Sequence, residues 1–199
     1  MGSYAPLRPL IVQNGDYVIC VDGGAAHLQG LGIKPDIIIG DLDSIGSDML
    51  PAGVEISKFK SEKDETDTML AVMHGLARGY RDFMLLGGLK GRLDHTFANL
   101  ATLQYIARHG AQGCFIDADN EAYYVENGSL TFKPRTGYYI SVFPYGGDAS
   151  GVTETGLKYG LQDAVLHTDF PNGVSNEFVG KDGVISVKNG ALLIILSKE

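Results

Sequence analysis

A change of pattern near residue 120 is the strongest constraint on how this chain folds. Before it, short apolar runs alternate with helical patterns; the runs are residues 17–21, 37–39, 83–86 and 114–116. Continuous apolar runs of this length suit strands of a parallel sheet that helices cover on both faces. Two amphipathic patterns predict helices whose buried faces carry Met69, Val72, Met73, Leu76 and Tyr80 in one and Phe97, Leu100, Leu103 and Ala107 in the other. The first part is therefore predicted to be an α/β domain with a mainly parallel sheet.

After this point the helical periodicity disappears. Short runs rich in Tyr, Val, Ile and Thr are separated by turn pairs, namely Asn127-Gly128, Gly146-Gly147, Asn172-Gly173 and Asn189-Gly190. Asn-Gly between apolar runs is typical of a β-hairpin. The second part is predicted to be an all-β, sandwich-like domain or partly open barrel, with residues 191–196 as its last strand. The predicted domains are residues 1–119 and 120–199.

Charge and hydropathy limit the possible partners and locations. The formal net charge is -8, and the chain has no run of basic residues, which argues against nucleic acid and anionic membranes as partners. No apolar run reaches the roughly 20 residues of a membrane span, and no signal-peptide pattern opens the chain. A cytoplasmic protein is expected, with Cys20 and Cys114 as buried thiols in apolar runs.

Carboxylates follow the second apolar run and precede the first amphipathic helix. Asp41 and Asp43 come directly after residues 37–39, where alternate side chains of extended backbone point to the same side. Both carboxylates could converge on one Mg²⁺ ion, although a turn capped by Asp and Ser is the alternative. Asp64 and the acidic residue three positions later, Asp67, resemble a capping box at the start of a helix. This interpretation favours a capping role for Asp64. Asp67 could both serve the helix and bind a metal.

Two glycine-rich segments have the character of phosphate sites. Residues 87–95 follow a strand and lead into a helix, so their backbone can cradle phosphate while the planar guanidinium of Arg92 neutralises it. Asp94 could instead cap this helix, and His95 is read as a hydrogen-bonding or packing residue rather than a base. Gly23 and Gly24 lie in a strand-to-helix turn that either approaches a ligand or simply packs the helix on the sheet. The dinucleotide fingerprint and the P-loop motif are both absent from the sequence.

Together these segments resemble the thiamine pyrophosphokinase family. The resemblance covers most of the chain and includes two motifs of the second part, Gly156-Leu157-Lys158-Tyr159 and Val174-Ser175-Asn176-Glu177. It implies an α/β nucleotide-binding domain followed by a β-sandwich domain, in a homodimer that holds thiamine near the subunit interface. The implied reaction transfers the diphosphoryl group of ATP to the hydroxyl of thiamine and needs Mg²⁺.

The resemblance also implies roles for individual residues. The metal-binding carboxylates are Asp41, Asp43 and Asp67. The catalytic residues are Asp43, Asp67, Arg92 and Asp94. The residues expected around ATP are Asp22, Gly23, Gly24, Lys63, Asp64, Thr66, Gly88, Arg92 and His95. The residues expected around thiamine are Tyr159, Ser175 and Asn176.

Two alternatives remain open from the sequence. One is a diphosphokinase that acts on another alcohol, and the other is a protein that binds nucleotide or thiamine without turnover. The family carries a further N-terminal strand and glycine-bearing loop, whereas only residues 1–16 precede the matching segment here. Either the chain is shortened at its start, or residues 10–13 form a substitute strand.

Overall fold

The structure, a computed structural model, describes residues 12–21, 24–40, 53–58 and 64–199, apart from the side chains of residues 25, 26, 29 and 58. It is a mixed α/β structure with several sheets and few helices. The chain divides into two compact units, one within Tyr4–Arg81 and the other over Asp82–Glu199. No helix among the described residues is long and apolar enough to span a membrane.

In the first unit, the described residues form three parallel strands. They are β1 (Ile19–Val21), β2 (Ile37–Gly40) and β3 (Glu55–Lys58), hydrogen-bonded in the order β1-β2-β3. The unit also contains α1 (Ala25–Leu31) and α2 (Asp67–Ala77). Central strand β2 is fully buried, as a strand between two others and under helices should be. The apolar runs at 17–21 and 37–39 therefore form strands as predicted.

The second unit begins with a parallel pair that a helix connects. Strand β4 (Asp82–Leu86) pairs in parallel with β5 (Gln112–Ile116), and α3 (Leu93–Arg108) lies between them in sequence. Strand β6 (Asn120–Glu126) then pairs antiparallel with β5. The remaining strands are β7 (Ser129–Phe132), β8 (Tyr138–Pro144), β9 (Ala149–Thr155), β10 (Leu161–Leu166), β11 (Gly183–Ser186) and β12 (Ala191–Lys198).

These strands of the second unit form two sheets that share one apolar core. The five-stranded sheet has the order β4-β5-β6-β12-β8, and the four-stranded sheet has the order β10-β9-β11-β7. Ile140 and Ile194 of the first sheet belong to the same buried cluster as Val152 and Ile185 of the second. Strand β12 lies between β6 and β8, which explains why its sequence is almost continuously apolar.

The predicted domain boundary falls inside a hairpin. Residues 119 and 120 lie where β5 turns into β6, and the Asp117 carboxylate stabilises this turn, since its Oδ1 accepts hydrogen bonds from the backbone N–H groups of Asp119 and Asn120, both at 2.8 Å. Along the sequence, the boundary between the two compact units lies between Arg81 and Asp82.

The prediction of β-hairpins at the Asn-Gly pairs is wrong. Between residues 120 and 199, which the structure describes throughout, none of the four pairs joins two strands that pair with each other. Asn127-Gly128 and Asn189-Gly190 instead carry the chain from one sheet to the other, and the Asn127 side chain accepts a hydrogen bond from Gly190 N at 3.0 Å. The left-handed backbone of Asn127, with φ 48°, permits the reversal but does not decide which strands pair.

The two longer helices are confirmed, but their buried faces are rotated from the prediction. In α2 the buried residues are Ala71, Val72 and Gly75, and Met73 is exposed. In α3 they are Asn99, Thr102, Leu103 and Ile106, whereas Phe97 is 66% exposed. Asn99 and Thr102 hydrogen-bond to carbonyl groups, so they occupy buried positions that an apolar pattern does not mark.

Candidate functional site

Several predicted site residues lie outside the described part of the chain. They are Asp22, Gly23, Asp41, Asp43 and Lys63. Their roles therefore stay predictions. Gly24 directly precedes α1, and a Cβ atom built there would lie 3.5 Å from the Cys20 Sγ, which is an ordinary contact. The described residues around Gly24 therefore do not require glycine at this position for packing.

Helix α2 begins with a threonine cap. Thr66 is the N-cap residue, and its Oγ1 accepts a hydrogen bond from Met69 N at 3.2 Å. The prediction that Asp64 caps this helix is therefore wrong: Asp64 precedes the cap and is exposed. Asp67 is the first helical residue, where a negative charge interacts favourably with the helix dipole. Thr66 and Asp67 thus both stabilise the start of α2, independent of any ligand.

The described residues offer oxygen donors but no complete metal centre. Across residues 12–21, 24–40, 53–58 and 64–199, no group of three or more His, Cys, Asp or Glu side chains is arranged to hold a metal ion. Of the three predicted metal ligands, Asp67 lies in the described part of the chain. Its carboxylate is a hard donor of the kind that Mg²⁺ prefers.

Gly87 and Gly88 form a turn at the carboxyl end of β4 whose backbone conformation favours glycine. Both have left-handed backbones, with φ 83° and 82°. Gly87 N donates to the carbonyl of Ile116 at 2.8 Å, and the Gly88 carbonyl accepts from Asn99 Nδ2 at 2.9 Å. A Cβ atom at Gly88 would lie 2.6 Å from that same Nδ2 atom. Helix α3 therefore fixes the shape of this loop through Asn99, a residue that sequence reasoning missed.

Arg92 and Asp94 form a two-point ion pair where α3 begins. Arg92 Nε donates to Asp94 Oδ1 at 3.1 Å, and Nη2 donates to Oδ2 at 2.5 Å. This pairing holds the pKa of Asp94 below its usual range and raises the pKa of Arg92. Both side chains are exposed, so the guanidinium can exchange its partner at low cost.

The N-cap position of α3 belongs to Arg92, so the alternative that Asp94 is the N-cap is wrong. Asp94 lies in the first turn and accepts a hydrogen bond from the backbone N–H of His95 at 3.0 Å. The His95 side chain is exposed. Arg92, Asp94 and His95 are therefore grouped at one helix start in the second unit.

Lys90 adds a second cation to the glycine loop. It forms an ion pair with Asp119, and the hydrogen bond to this carboxylate raises the pKa of Lys90. The signal for it in the sequence was a lysine between Gly88 and Gly91. The loop between β4 and α3 thus presents a left-handed glycine turn and two cations, Lys90 and Arg92, which is chemically suited to an anion.

Asn176 is buried, and every hydrogen-bonding position of its side chain is used within the chain. Its Oδ1 accepts from the backbone N–H groups of Tyr159 and Glu177, both at 3.0 Å. Its Nδ2 donates to the Tyr159 carbonyl at 2.8 Å and to Glu154 Oε2 at 3.2 Å. The predicted residues Tyr159 and Asn176 are therefore brought together, and the amide fixes the backbone at Tyr159.

Tyr159 and Ser175 are the exposed members of this group. The Tyr159 residue is 62% exposed, with the Lys158 ammonium 5.6 Å from its ring centroid. Ser175 has a left-handed backbone, φ 58°, and its N–H donates to Ser141 Oγ at 3.1 Å. A non-glycine residue in this conformation is strained and needs such local support. The exposed ring and hydroxyl are available to a ligand.

Glu154 is a buried carboxyl group that sequence reasoning missed. Burial raises its pKa to about 7, and the hydrogen bond from Asn176 opposes this rise. Its Oε1 atom is buried and has no hydrogen-bond partner among the described residues. In the sequence it appears as one glutamate in a run of Thr and Val, with nothing to mark it as buried.

Comparison with known families matches the two halves of the chain to two successive domains. Residues 9–115 match the thiamin pyrophosphokinase catalytic domain, and residues 129–192 match the thiamin pyrophosphokinase vitamin B1 binding domain. The first segment contains all the predicted metal and ATP residues, and the second contains Tyr159, Ser175 and Asn176.

Individual relatives agree over nearly the whole chain. The thiamine pyrophosphokinase of Bacillus subtilis is 29% identical over 186 residues, which is 91% of this chain and 87% of that protein. The crystal structure of the B. subtilis enzyme is similar with a TM-score of 0.87 and 26% identity, covering 94% of this chain and 90% of that one. A thiamin pyrophosphokinase structure from Geobacillus thermodenitrificans has a TM-score of 0.82, also at 26% identity, over 94% and 89% of the two chains.

Proposed function

The chain belongs to the thiamin pyrophosphokinase family, and on that premise we propose how its residues share the work of the reaction. The family resemblance of the sequence is confirmed, and the activity is that of a thiamine pyrophosphokinase. In the proposed reaction, the hydroxyl of thiamine attacks the β-phosphorus of ATP. The diphosphoryl group moves to thiamine, and AMP leaves. The observation that carries this proposal is the order of the two matched domains, each of which contains its own set of predicted residues.

The glycine loop and the start of α3 are proposed to receive the phosphates. Phosphoryl-type transfer depends more on positioning and charge neutralisation than on a strong base. Asp94 holds the guanidinium of Arg92 in a two-point pair, so the planar group is already oriented before ATP arrives. A phosphate oxygen then replaces or shares the carboxylate partner. The two hydrogen bonds from Arg92 to its carboxylate support an orienting role for Asp94.

Asp41, Asp43 and Asp67 are proposed to hold Mg²⁺. The donor set consists of carboxylate oxygens, which fits a hard cation, and Asp67 is placed at the start of α2. When bound, the ion would neutralise charge on the transferred phosphates. Asp22, Lys63, Asp64, Thr66 and His95 are proposed as further contacts of ATP.

The vitamin B1 binding segment is proposed to recognise thiamine through Tyr159 and Ser175. Thiamine carries a cationic ring, and an exposed tyrosine ring is a suitable partner for such a ligand. Asn176 has no unused hydrogen-bonding position, so we assign it the task of holding the Tyr159 backbone in place. This changes its predicted role from direct contact to positioning.

Assembly and location are also proposals. A homodimer with thiamine near the subunit interface follows from the family resemblance, and a functional division near residues 119 and 120 follows from the change of sequence pattern there. The gap between the two matched domains, residues 116–128, includes that position. A cytoplasmic protein without nucleic-acid or membrane partners agrees with the net charge of -8.

A coupled assay for AMP tests the proposal. With ATP and Mg²⁺ present, AMP release should require thiamine and should stop when a chelator removes the metal. AMP release at the same rate without thiamine would indicate a hydrolase. Release with another alcohol but not with thiamine would place the acceptor elsewhere.

A further inference from the structure

Glu154 occupies a position in the four-stranded sheet where a carboxyl group is unfavourable. It lies on β9 opposite Leu161 of β10 and Ile185 of β11, on the same face as Val152, and is 4% exposed. Val152 and Ile185 belong to the buried core, and Leu161 packs against it. A buried polar atom without a partner, such as Oε1 among the described residues, costs free energy, so its retention calls for an explanation.

Asn176, the hydrogen-bond partner of Glu154, is a junction of the second unit. Its backbone N–H and carbonyl pair with Ile140 of β8, both at 2.9 Å, while its side chain reaches Glu154 in the other sheet. The same side chain holds both the N–H and the carbonyl of Tyr159. A change in the position of the Asn176 amide must therefore move the backbone of Tyr159.

We propose that Glu154 is a positioning residue for thiamine recognition: its carboxylate holds the Asn176 amide, and that amide holds Tyr159. This inference rests on the proposed role of Tyr159 in binding thiamine. It assigns to Glu154 no contact with the substrate, because both the carboxyl group and Asn176 are buried.

The protonation state of Glu154 makes the arrangement sensitive to pH. Its pKa of about 7 places its change of charge in the neutral range. An ionised carboxylate accepts a stronger hydrogen bond than a protonated one. The hydrogen bond from Asn176 to Glu154 should therefore become stronger as the pH rises through about 7.

Charged groups on neighbouring elements are already paired. Lys158 and Glu177 pair at 2.7 Å on the two segments beside Asn176, and Asp163 of β10 pairs with Lys188 at 2.7 Å. Asp182, just before β11, pairs with Lys133 at 2.6 Å, and β11 itself consists of Gly, Val, Ile and Ser. The His167–Asp148 pair lies at the other end of the β9–β10 ladder, beyond Leu166 and Ala149. Glu154 is thus the ionisable group whose change of charge acts on the Asn176 side chain.

The test measures the KM for thiamine and the KM for ATP between about pH 6 and about pH 8.5, a range that spans the ionisation. In the wild-type chain the thiamine KM should fall several-fold as the pH rises through about 7, and the ATP KM should not follow it. Glu154→Gln retains an oxygen that accepts from Asn176 but does not titrate, so its thiamine KM should be flat. Asp163→Asn is the matched control, an exposed acid-to-amide change on the neighbouring strand, and it should keep the wild-type profile.

A second measurement follows the hydrogen bonds from Glu154 through Asn176 to Tyr159 in the absence of turnover. In nitrogen-15 NMR spectra of the full chain, the Asn176 side-chain amide and the Tyr159 backbone amide should titrate with the same midpoint. Both titrations should disappear in Glu154→Gln. An unchanged titration in this variant, or an unchanged pH profile of its thiamine KM, would overturn the inference.

Asn176→Ala separates this inference from the proposed function. If Asn176→Ala leaves the thiamine KM unaltered while the variant remains folded by circular dichroism, the proposed thiamine role of the segment fails, and the inference fails with it. If Asn176→Ala raises the thiamine KM about tenfold, as loss of a buried hydrogen-bonded group suggests, while Glu154→Gln keeps the wild-type pH profile, only the inference fails.

Discussion

At the scale of single residues, the geometry of Arg92 matters more than its charge. Its guanidinium is held flat against Asp94 by two hydrogen bonds from Nε and Nη2. Lysine has a point charge on a flexible stem and cannot make a two-point contact. The side chain is exposed, so the pair contributes orientation rather than folding stability.

Arg92→Lys should lower kcat at least tenfold although the charge is kept, because the phosphate loses its oriented two-point partner. Steady-state kinetics with saturating thiamine give the comparison. Arg108→Lys is the matched control, since Arg108 is exposed on the last turn of the same helix and pairs with Glu126 at 3.5 Å. Turnover in Arg92→Lys equal to that of Arg108→Lys would show that the two-point contact of the guanidinium is not required.

The buried carboxyl of Glu154 should also be visible in stability. Its pKa is raised from the ordinary value of 4.5 to about 7, so the folded state binds the proton more tightly than the unfolded state. The stability linked to this proton is fully present below about pH 4.5 and is lost as the pH rises through about 7. A shift of this size corresponds to roughly 3 kcal/mol.

Glu154→Gln should therefore gain free energy of unfolding relative to the wild-type chain as the pH rises, by up to roughly 3 kcal/mol between about pH 5 and about pH 8. Urea unfolding at both pH values measures the difference. A wild-type chain that loses no stability relative to Glu154→Gln over this range would mean that Glu154 does not titrate near neutrality.

At the scale of elements, Thr66 has two proposed tasks that substitutions can separate. Its hydroxyl caps α2 through Met69 N, and the family resemblance implies a contact with ATP. Loss of an N-cap typically costs about 1 kcal/mol.

Thr66→Ala should lose about 1 kcal/mol of stability and raise the KM for ATP, whereas Thr66→Ser should retain both properties because serine keeps the capping hydroxyl. Thermal unfolding and ATP kinetics on the same samples give the two readouts. Stability lost without any effect on the ATP KM would leave Thr66 as a cap alone.

The elements themselves were largely predictable, but some of their connections and faces were not. Apolar runs and amphipathic patterns identified β1, β2, β4, β5, β12 and the two longer helices. The buried face of α3 was misplaced because Asn99 and Thr102 are polar residues satisfied inside the protein. The turn at Asn127-Gly128 was mistaken for a hairpin because a left-handed residue permits a reversal without specifying the partner strand.

Candidate site residues that lie close together in the sequence could be predicted, whereas partners far apart in the sequence could not. Gly88, Arg92 and Asp94 form one short motif, and the structure groups them around the start of α3. Glu154 is separated by 22 positions from Asn176, and only the folded sheet shows that the two side chains meet. Long-range partners of this kind leave no pattern in a single sequence.

At the scale of the whole molecule, ATP recognition and thiamine recognition are proposed to lie in different segments of the chain. The catalytic match ends at residue 115, and the vitamin B1 binding match begins at residue 129. If the proposed homodimer shares its site between subunits, defects in the two segments should complement each other. The two defects to combine are Arg92→Lys and Asn176→Ala.

Mixed dimers of an Arg92→Lys chain and an Asn176→Ala chain should regain activity above either parent, because one of their two composite sites would be intact. Mass spectrometry should verify that subunits have exchanged. Exchanged dimers with no gain over the parents would place both parts of each site on a single chain.

Phosphorus-31 NMR of the reaction products tests the proposed diphosphoryl transfer most directly. With one equivalent of ATP, Mg²⁺ and thiamine, we expect AMP and thiamine diphosphate in equal amounts, with the β- and γ-phosphorus atoms of ATP still joined to each other. Equal amounts of ADP and thiamine monophosphate would contradict it, because they would show transfer of the γ-phosphoryl group alone.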